Sequence, residues 1–237
     1  MTKPNDQTRN DAPTSSAEQA YAEIQRLIIT GEIPAYELLS ENDLTRRTGC
    51  GRTPVREALQ RLKFDDFVTI LPRRGIMVTP VDITRQLELL EARRPLEEVM
   101  VSLAALRATE DQRETMRRLA DELERAIAEK DRDRYLEINR ATHRIEAEAT
   151  QNRYIVRQME LLHGLSRRFW YSFINDTGSF SSAAVHHART LRAIASGEPD
   201  IARTECRALL DLLEAISQKA IDDRLSMPRA SARALST

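Results

Sequence analysis

Between Ser40 and Pro80 the apolar positions change period twice. Leu44 is the apolar residue of a short run that begins after Ser40, a residue type favoured as a helix N-cap. That run stops near Gly49, which can take the positive φ of a tight turn. Val55, Ala58, Leu59 and Leu62 then follow the spacing of a one-sided helix. Thr53 is expected as its N-cap and Pro54 as its first helical residue, where a missing N–H costs nothing. Phe67 to Leu71 and Ile76 to Thr79 are β-prone and flank Pro72-Arg73-Arg74-Gly75, which predicts a hairpin. From Asp82 onward the pattern is helical almost without break, with helices predicted near 82–106, 110–129, 131–150, 152–174, 181–196 and 198–223. Pro95 should kink or split the first of these. Thr109 to Gln112 forms a capping box for the next, and Gly197-Glu198-Pro199 separates the last two.

Two short helices joined by a tight turn and followed by a basic hairpin are the layout of a winged helix-turn-helix. That device places one helix in the major groove of double-stranded DNA. The second helix carries Arg52, Thr53, Arg56 and Gln60 at its start and opposite its apolar stripe. An arginine can grip guanine O6 and N7 with two hydrogen bonds, worth about 1–3 kcal/mol of discrimination. Thr53 and the free N–H groups of a helix start suit a backbone phosphate. Arg73 and Arg74, at the hairpin tip, are placed to reach the adjacent minor groove or a phosphate. Eight basic side chains outnumber five acidic ones between residues 40 and 80, while the whole chain is formally −1. Basic charge is therefore concentrated where an operator would lie.

At 237 residues the chain is long enough for two domains, and 31% charged residues, 5% aromatics and only 7 glycines favour a mostly α protein. The predicted organisation is a disordered arm over 1–17, a winged helix-turn-helix domain over 18–80, an all-α helical bundle over 81–225 and a disordered tail over 226–237. No apolar run reaches the ~18 residues of a membrane span, and the N-terminus lacks the apolar core of a signal peptide. Cys50 and Cys206 have no metal-type spacing, so the expectation is a cytoplasmic protein with no membrane association. Cys50 falls in the turn beside the DNA-reading helix, where an incidental small residue is a simpler reading than a redox sensor.

The run from Tyr21 to Leu62, together with PRRGIMV, closely resembles the N-terminal domain of GntR-type bacterial transcription regulators. The most specific pieces are LSENDL, GRTPVREALQRL and PRRG. The resemblance implies a first helix over about 18–30 with Ile24, Leu27 and Ile28 as its buried stripe, and DNA contact by Arg52, Thr53, Arg56 and the wing Gly75. Asn42 stands where the family usually has Arg, and Gly51 where it has Ser or Thr, so an operator sequence does not carry over. The six helices that follow resemble the FCD effector domain of the FadR subfamily, and six rather than seven resemble its VanR-like branch. The match rests on EARRPLE (Glu91 to Glu97), on Asn139 to His143 followed by AEATQN, and on HHARTLRAIASGEPDIA.

Many FCD domains hold a divalent metal with one Asp and three His. The resemblance puts Asn139 in place of the Asp, keeps His143 and His187, with His186 beside the latter, and puts Leu209 in place of the last His. Asn139, His143 and His187 are thus the metal candidates, one ligand and one carboxylate charge short of the family set. His163 could add a ligand from another helix. This altered set favours a metal-free pocket, with no cofactor required, over a bound divalent metal such as zinc. In that pocket Arg93 is the first choice for gripping an effector carboxylate with two hydrogen bonds, and Arg94 is its rival. Asn139, His143 and His187 then serve as hydrogen-bonding groups. Phe169, Trp170 and Phe173 have the spacing either to line a wall or to fill the core.

These expectations converge on a ligand-responsive, homodimeric regulator whose two heads bind half-sites of a roughly palindromic operator. The resemblance further implies dimerisation through the helical domain and a small organic acid as effector; a repressor released when that acid binds is the default expectation. Two alternatives stay open. One is a helical-bundle metalloenzyme centred on His143 and His187, which lacks a full ligand set and a paired general acid and base. The other is a ligand-independent, architectural DNA-binding protein, which leaves the large second domain without a ligand.

Overall fold

The computed structural model describes residues 15–174 and 177–226, and the chain divides into two compact units, residues 1–80 and 81–237. The arm expected over 1–17 and the tail expected over 226–237 lie almost wholly outside the described residues. Of their described residues, Ser15 is the extended N-cap of a helix and the rest are helical. Helix α1 (Ser16–Ile29) starts two residues before the expected position because Ser15 and Glu18 cap each other reciprocally, at 3.2 and 3.1 Å. Ser226, assigned to the tail, is the last residue of a helix and donates its hydroxyl to the Asp222 carbonyl at 2.6 Å.

In the first unit, α2 (Glu41–Thr48) opens with a Ser40–Asp43 capping box and closes on Gly49, whose φ of 69° turns the chain. Helix α3 (Arg52–Phe64) begins two residues earlier than the sequence implies. Gly51 is its N-cap, and the Val55 N–H donates to the Gly51 carbonyl at 3.1 Å. Thr53 is therefore inside the helix rather than its cap. Pro54 still sits in the first turn, where its missing N–H would have had no helical acceptor. Strands β1 (Leu38–Leu39), β2 (Val68–Leu71) and β3 (Gly75–Val78) form an antiparallel sheet in the order β1-β3-β2, with Leu71 opposite Gly75 and Leu39 opposite Ile76. The two residues of β1 are too few to leave a periodic signal in the sequence.

The wing turn is closed by the Arg74 N–H donating to the Leu71 carbonyl at 3.1 Å, with Pro72 and Arg73 at its centre and Arg73 at φ 61°. Gly75 is held at φ 114°, and a Cβ there would lie 2.5 Å from the Leu39 carbonyl oxygen. The edge strand β1 thus requires glycine at the base of the wing. Tyr21, Ile24, Leu27 and Ile28 of α1 form the core with Val55, Leu59, Leu62 and Phe67. Tyr21 also donates its hydroxyl to Asp65 at 2.7 Å, accepts from Gln25 at 3.0 Å, and carries the Arg61 guanidinium over its ring at 3.8 Å. This buried network ties the end of α3 to α1.

The second unit consists, among the described residues, of α4 (Arg85–Arg107), α5 (Glu110–Glu129), α6 (Arg132–Ala149), α7 (Arg153–Phe173), α8 (Thr177–Ser196) and α9 (Pro199–Ser226). Pro95 does not split α4, which runs through it as one element. A proline removes one N–H from the ladder. Here α4 packs along α9 and against α6, α7 and α8, and that burial outweighs the loss. Met116, Ala120 and Leu123 of α5 meet Ala188, Leu191 and Ile194 of α8 in the core. No helix among the described residues is long and apolar enough to cross a membrane.

Candidate functional site

Two faces carry the chemistry. On α3, Val55, Ala58, Leu59 and Leu62 turn into the core, which leaves Arg52, Thr53, Arg56 and Gln60 exposed. Arg73 and Arg74 are exposed at the wing tip, and Gly75 is half-buried at its base. Arg52, Arg73 and Arg74 make no ion pair among the described residues. Arg56 differs: its Nε donates to Glu41 Oε1 at 3.1 Å and its Nη2 to Oε2 at 2.8 Å. These bonds hold the Glu41 carboxyl below the usual carboxylate range and raise Arg56 in turn. Sequence reasoning missed Glu41, since nothing in a helix pattern reveals a partner fifteen residues away on another helix. Cys50, in the turn, is partly buried and donates its thiol to the Thr48 carbonyl at 3.7 Å.

The second face is internal. Arg93 of α4, 1% exposed, donates Nη2 to Glu97 Oε1 at 2.8 Å and Nη1 to Ser166 Oγ of α7 at 2.6 Å. His163 of α7 lies 2.6 Å from the same Glu97 oxygen, so its Nε2 carries the proton. Asn139 of α6 donates its amide to His187 Nε2 of α8 at 2.9 Å, which leaves the proton of His187 on Nδ1. His143 of α6 sits among these groups. Its ring is stacked on His163, centroids 3.8 Å apart and planes 16° apart, and meets His187 edge-on at 5.1 Å. Neither nitrogen of His143 has a partner, nor do Glu97 Oε2 and Arg93 Nε. Burial, reinforced by neighbouring cationic charge, pushes His143 and His163 well below the ordinary histidine range. Burial also lowers His187, to about 4.

Arg93, Asn139, His143, Arg167, Trp170 and His187 line a cavity of about 20 Å³, room for about one water molecule. The structure therefore gathers every residue expected at the effector site around one space. Arg94, the rival to Arg93, points elsewhere and pairs with Asp211 at 2.7 Å and Glu214 at 2.9 Å on α9. Of the three aromatics, Trp170 reaches the cavity, whereas Phe169 and Phe173 pack in or against the core. His186 faces Glu205 at 3.0 Å, and Leu209 is buried among apolar residues. Arg167, Ser166 and Glu97 were not anticipated. Only Glu97 left a signal, standing four residues after Arg93 on the same helix face.

Residues 16–78 match the family described as bacterial regulatory proteins, gntR family, and residues 88–212, more than half the chain, match the FCD domain. The chain belongs to the GntR family, with an FCD C-terminal domain. This is a family of DNA-binding transcription regulators rather than enzymes, and this GntR/FCD protein is one of the FadR-like group. It is 26% identical over 187 residues to the HTH-type transcriptional regulator YdhC of Bacillus subtilis, covering 78% of this chain and 80% of that one. It is 27% identical over 168 residues to the HTH-type transcriptional repressor GlaR of Escherichia coli, covering 69% and 76%. Among solved structures, Escherichia coli McbR/YncC shares the fold with a TM-score of 0.72 at 20% identity, over 86% of this chain and 98% of that one.

The FCD resemblance raises the question of a metal. Glu97, His143 and His163 offer ligand atoms within 4.8 Å of one another, and by spacing this buried group could hold an ion. It is not the set expected from the sequence, because Asn139 and His187 are bonded to each other. Two features oppose a divalent ion in the arrangement seen. The stacked rings direct the lone pairs of His143 and His163 along parallel planes, and a single ion cannot lie in both. The Arg93 guanidinium already neutralises Glu97. The rings would have to unstack and Arg93 to withdraw before these residues fitted a metal.

Proposed function

We propose that this GntR/FCD regulator is a cytoplasmic, homodimeric repressor that a small organic acid releases from its operator. Arg52, Thr53, Arg56 and Gln60 would read the major groove, and Arg73, Arg74 and Gly75 would brace the adjacent backbone or minor groove. The effector would enter the cavity among Arg93, Asn139, His143, Trp170 and His187. A ligand can shift operator affinity only by binding the DNA-competent and DNA-incompetent arrangements unequally.

The observation that carries the effector site is the unpartnered His143 on the wall of a cavity within the bundle. Each buried polar atom without a partner costs about 1–3 kcal/mol, which a purely architectural domain would have no reason to keep. Thermal unfolding against a panel of organic acids, sugar acids and amino acids, with and without chelator and added zinc, tests the reading. A ligand at 100 times its Kd adds about 2.7 kcal/mol of stability. A zinc-independent rise with an acid is expected. A rise that requires zinc would install the Glu97–His143–His163 group as a metal centre, and no response to any compound would favour a ligand-independent DNA binder.

A further inference from the structure

One side chain on the reading surface carries the wrong charge for DNA. Resting on the assignment of α3 as the helix that enters the major groove, Arg52, Arg56, Arg73 and Arg74 are the arginines available to an operator. Among the described residues only Arg56 of these four is bonded to a protein carboxylate, that of Glu41 on α2. A carboxylate there costs general affinity, because attachment to DNA rests on positive charge facing phosphate. Charge alone would favour its absence, and the geometry supplies the offsetting gain. Both ends of the pair stand on fixed backbone. Glu41 is the first residue of α2, whose start is held by the Ser40–Asp43 capping box and whose Leu44 is buried. Arg56 projects from α3, which is anchored by Val55, Ala58, Leu59 and Leu62.

An unheld arginine reaches phosphates as readily as bases, and phosphate contacts carry no sequence information. The guanidinium has five N–H donors in a rigid planar fork. Glu41 accepts the Nε hydrogen and one from Nη2. The end of the fork stays open, one N–H each from Nη1 and Nη2 side by side, which is the pair that guanine O6 and N7 accept. We propose that Glu41 is a specificity-determining residue of this regulator. It holds the Arg56 fork end-on to a guanine, and its charge keeps Arg56 off the phosphates. Arg56 touches the base, and Glu41 acts through it as a positioning residue. Arg52, with no such partner, is left free to take a base or a phosphate.

The test compares the full-length wild type with Glu41→Gln, Glu57→Gln and Arg56→Ala, at one salt concentration. Each is titrated with random duplex and with a duplex that the wild type selects from a random pool. Glu57 is exposed and has no ion pair among the described residues, so its substitution makes the same charge change without releasing an arginine. Glu41→Gln should bind random duplex more tightly than the wild type, yet lose roughly tenfold of its preference for the selected duplex, within the range that one bidentate arginine–guanine contact supplies. In single-base-pair substitutions of the selected duplex, the lost discrimination should fall at one G·C pair of each half-site. Glu57→Gln should tighten both duplexes alike and keep the preference. Thermal unfolding of Glu41→Gln should match the wild type, because the pair is exposed. A Glu41 that served structure alone would weaken both duplexes together and lower the Tm, and that result would overturn the inference. So would an unchanged preference, a loss spread evenly over all positions, or an equal loss in Glu57→Gln. If Arg56→Ala keeps the wild-type preference, the assignment of α3 and the inference fall together. If Arg56→Ala loses the preference and Glu41→Gln does not, only the role of Glu41 falls.

Discussion

Arg56 of α3 and Glu41 of α2 are joined edge to edge by two hydrogen bonds, 3.1 and 2.8 Å long. The pair uses Nε and one Nη2 hydrogen of the guanidinium, so the Nη1 side remains free for a base or a phosphate, already oriented by a second helix. Because the pair is exposed, its removal should barely change stability. Arg56→Ala should abolish specific operator binding and leave the melting of the helical domain unchanged. Fluorescence anisotropy with a selected duplex against random competitor measures this, and wild-type affinity in the mutant would refute the assignment of α3 as the reading helix.

Gly75 tests the wing independently of charge. An added Cβ would meet the Leu39 carbonyl oxygen at 2.5 Å, at a φ of 114° that side-chain-bearing residues rarely adopt. Gly75→Ala should cost about 1–3 kcal/mol of stability in the first unit. Hydrogen exchange should show β1 and β3 loosened first. Unchanged protection of Leu39 and Ile76 would mean that the edge strand yields without cost.

Arg93 and Glu97 form a pair that is almost fully buried. Arg93→Leu should destabilise the helical unit by about 3–5 kcal/mol, since it leaves the buried Glu97 charge without its cation, with only the His163 N–H bonded to it at 2.6 Å. The double variant Arg93→Leu/Glu97→Leu should recover much of that loss. Urea denaturation of both variants checks the point, and a double variant no better than the single one would place the cost in packing rather than charge.

Acid should weaken the protein in a definite window. His143, His163 and His187 are held below the ordinary histidine value of 6.5 by burial, so below that pH the unfolded chain binds protons that the folded chain refuses. Glu146 works in the opposite sense, because burial raises it well above 4.5 and the folded chain keeps its proton longer. Three histidines against one carboxyl leave a net loss of stability as pH falls from 6.5. Urea midpoints between pH 7.5 and 5 measure it. A flat profile over that range would mean that the histidines are protonated in the folded state.

The winged head was legible because its signals are local: Ser40 and Gly49 bound one helix, and the Val55–Leu62 stripe fixes the face of the next. The start of α3 was misplaced by two residues because Gly51, with no capping side chain, took the N-cap from Thr53 through its backbone alone. Pro95 misled for the opposite reason, since local chemistry argued for a break and packing on α9 overrode it. The cavity residues Asn139, His143 and His187 came from family resemblance. Their actual bonds, Asn139 to His187 and His163 to Glu97, join helices 48 and 66 residues apart in sequence, and no periodicity encodes such pairings.

The most direct measurement is operator affinity of the full chain, on a duplex selected from a random pool, titrated with succinate against sodium chloride at equal ionic strength. The chloride control removes the general salt dependence of DNA binding. A ligand-released repressor predicts affinity that falls with succinate well beyond the chloride control. Affinity that stays with the control in the wild type, or tightens with succinate, would contradict the account.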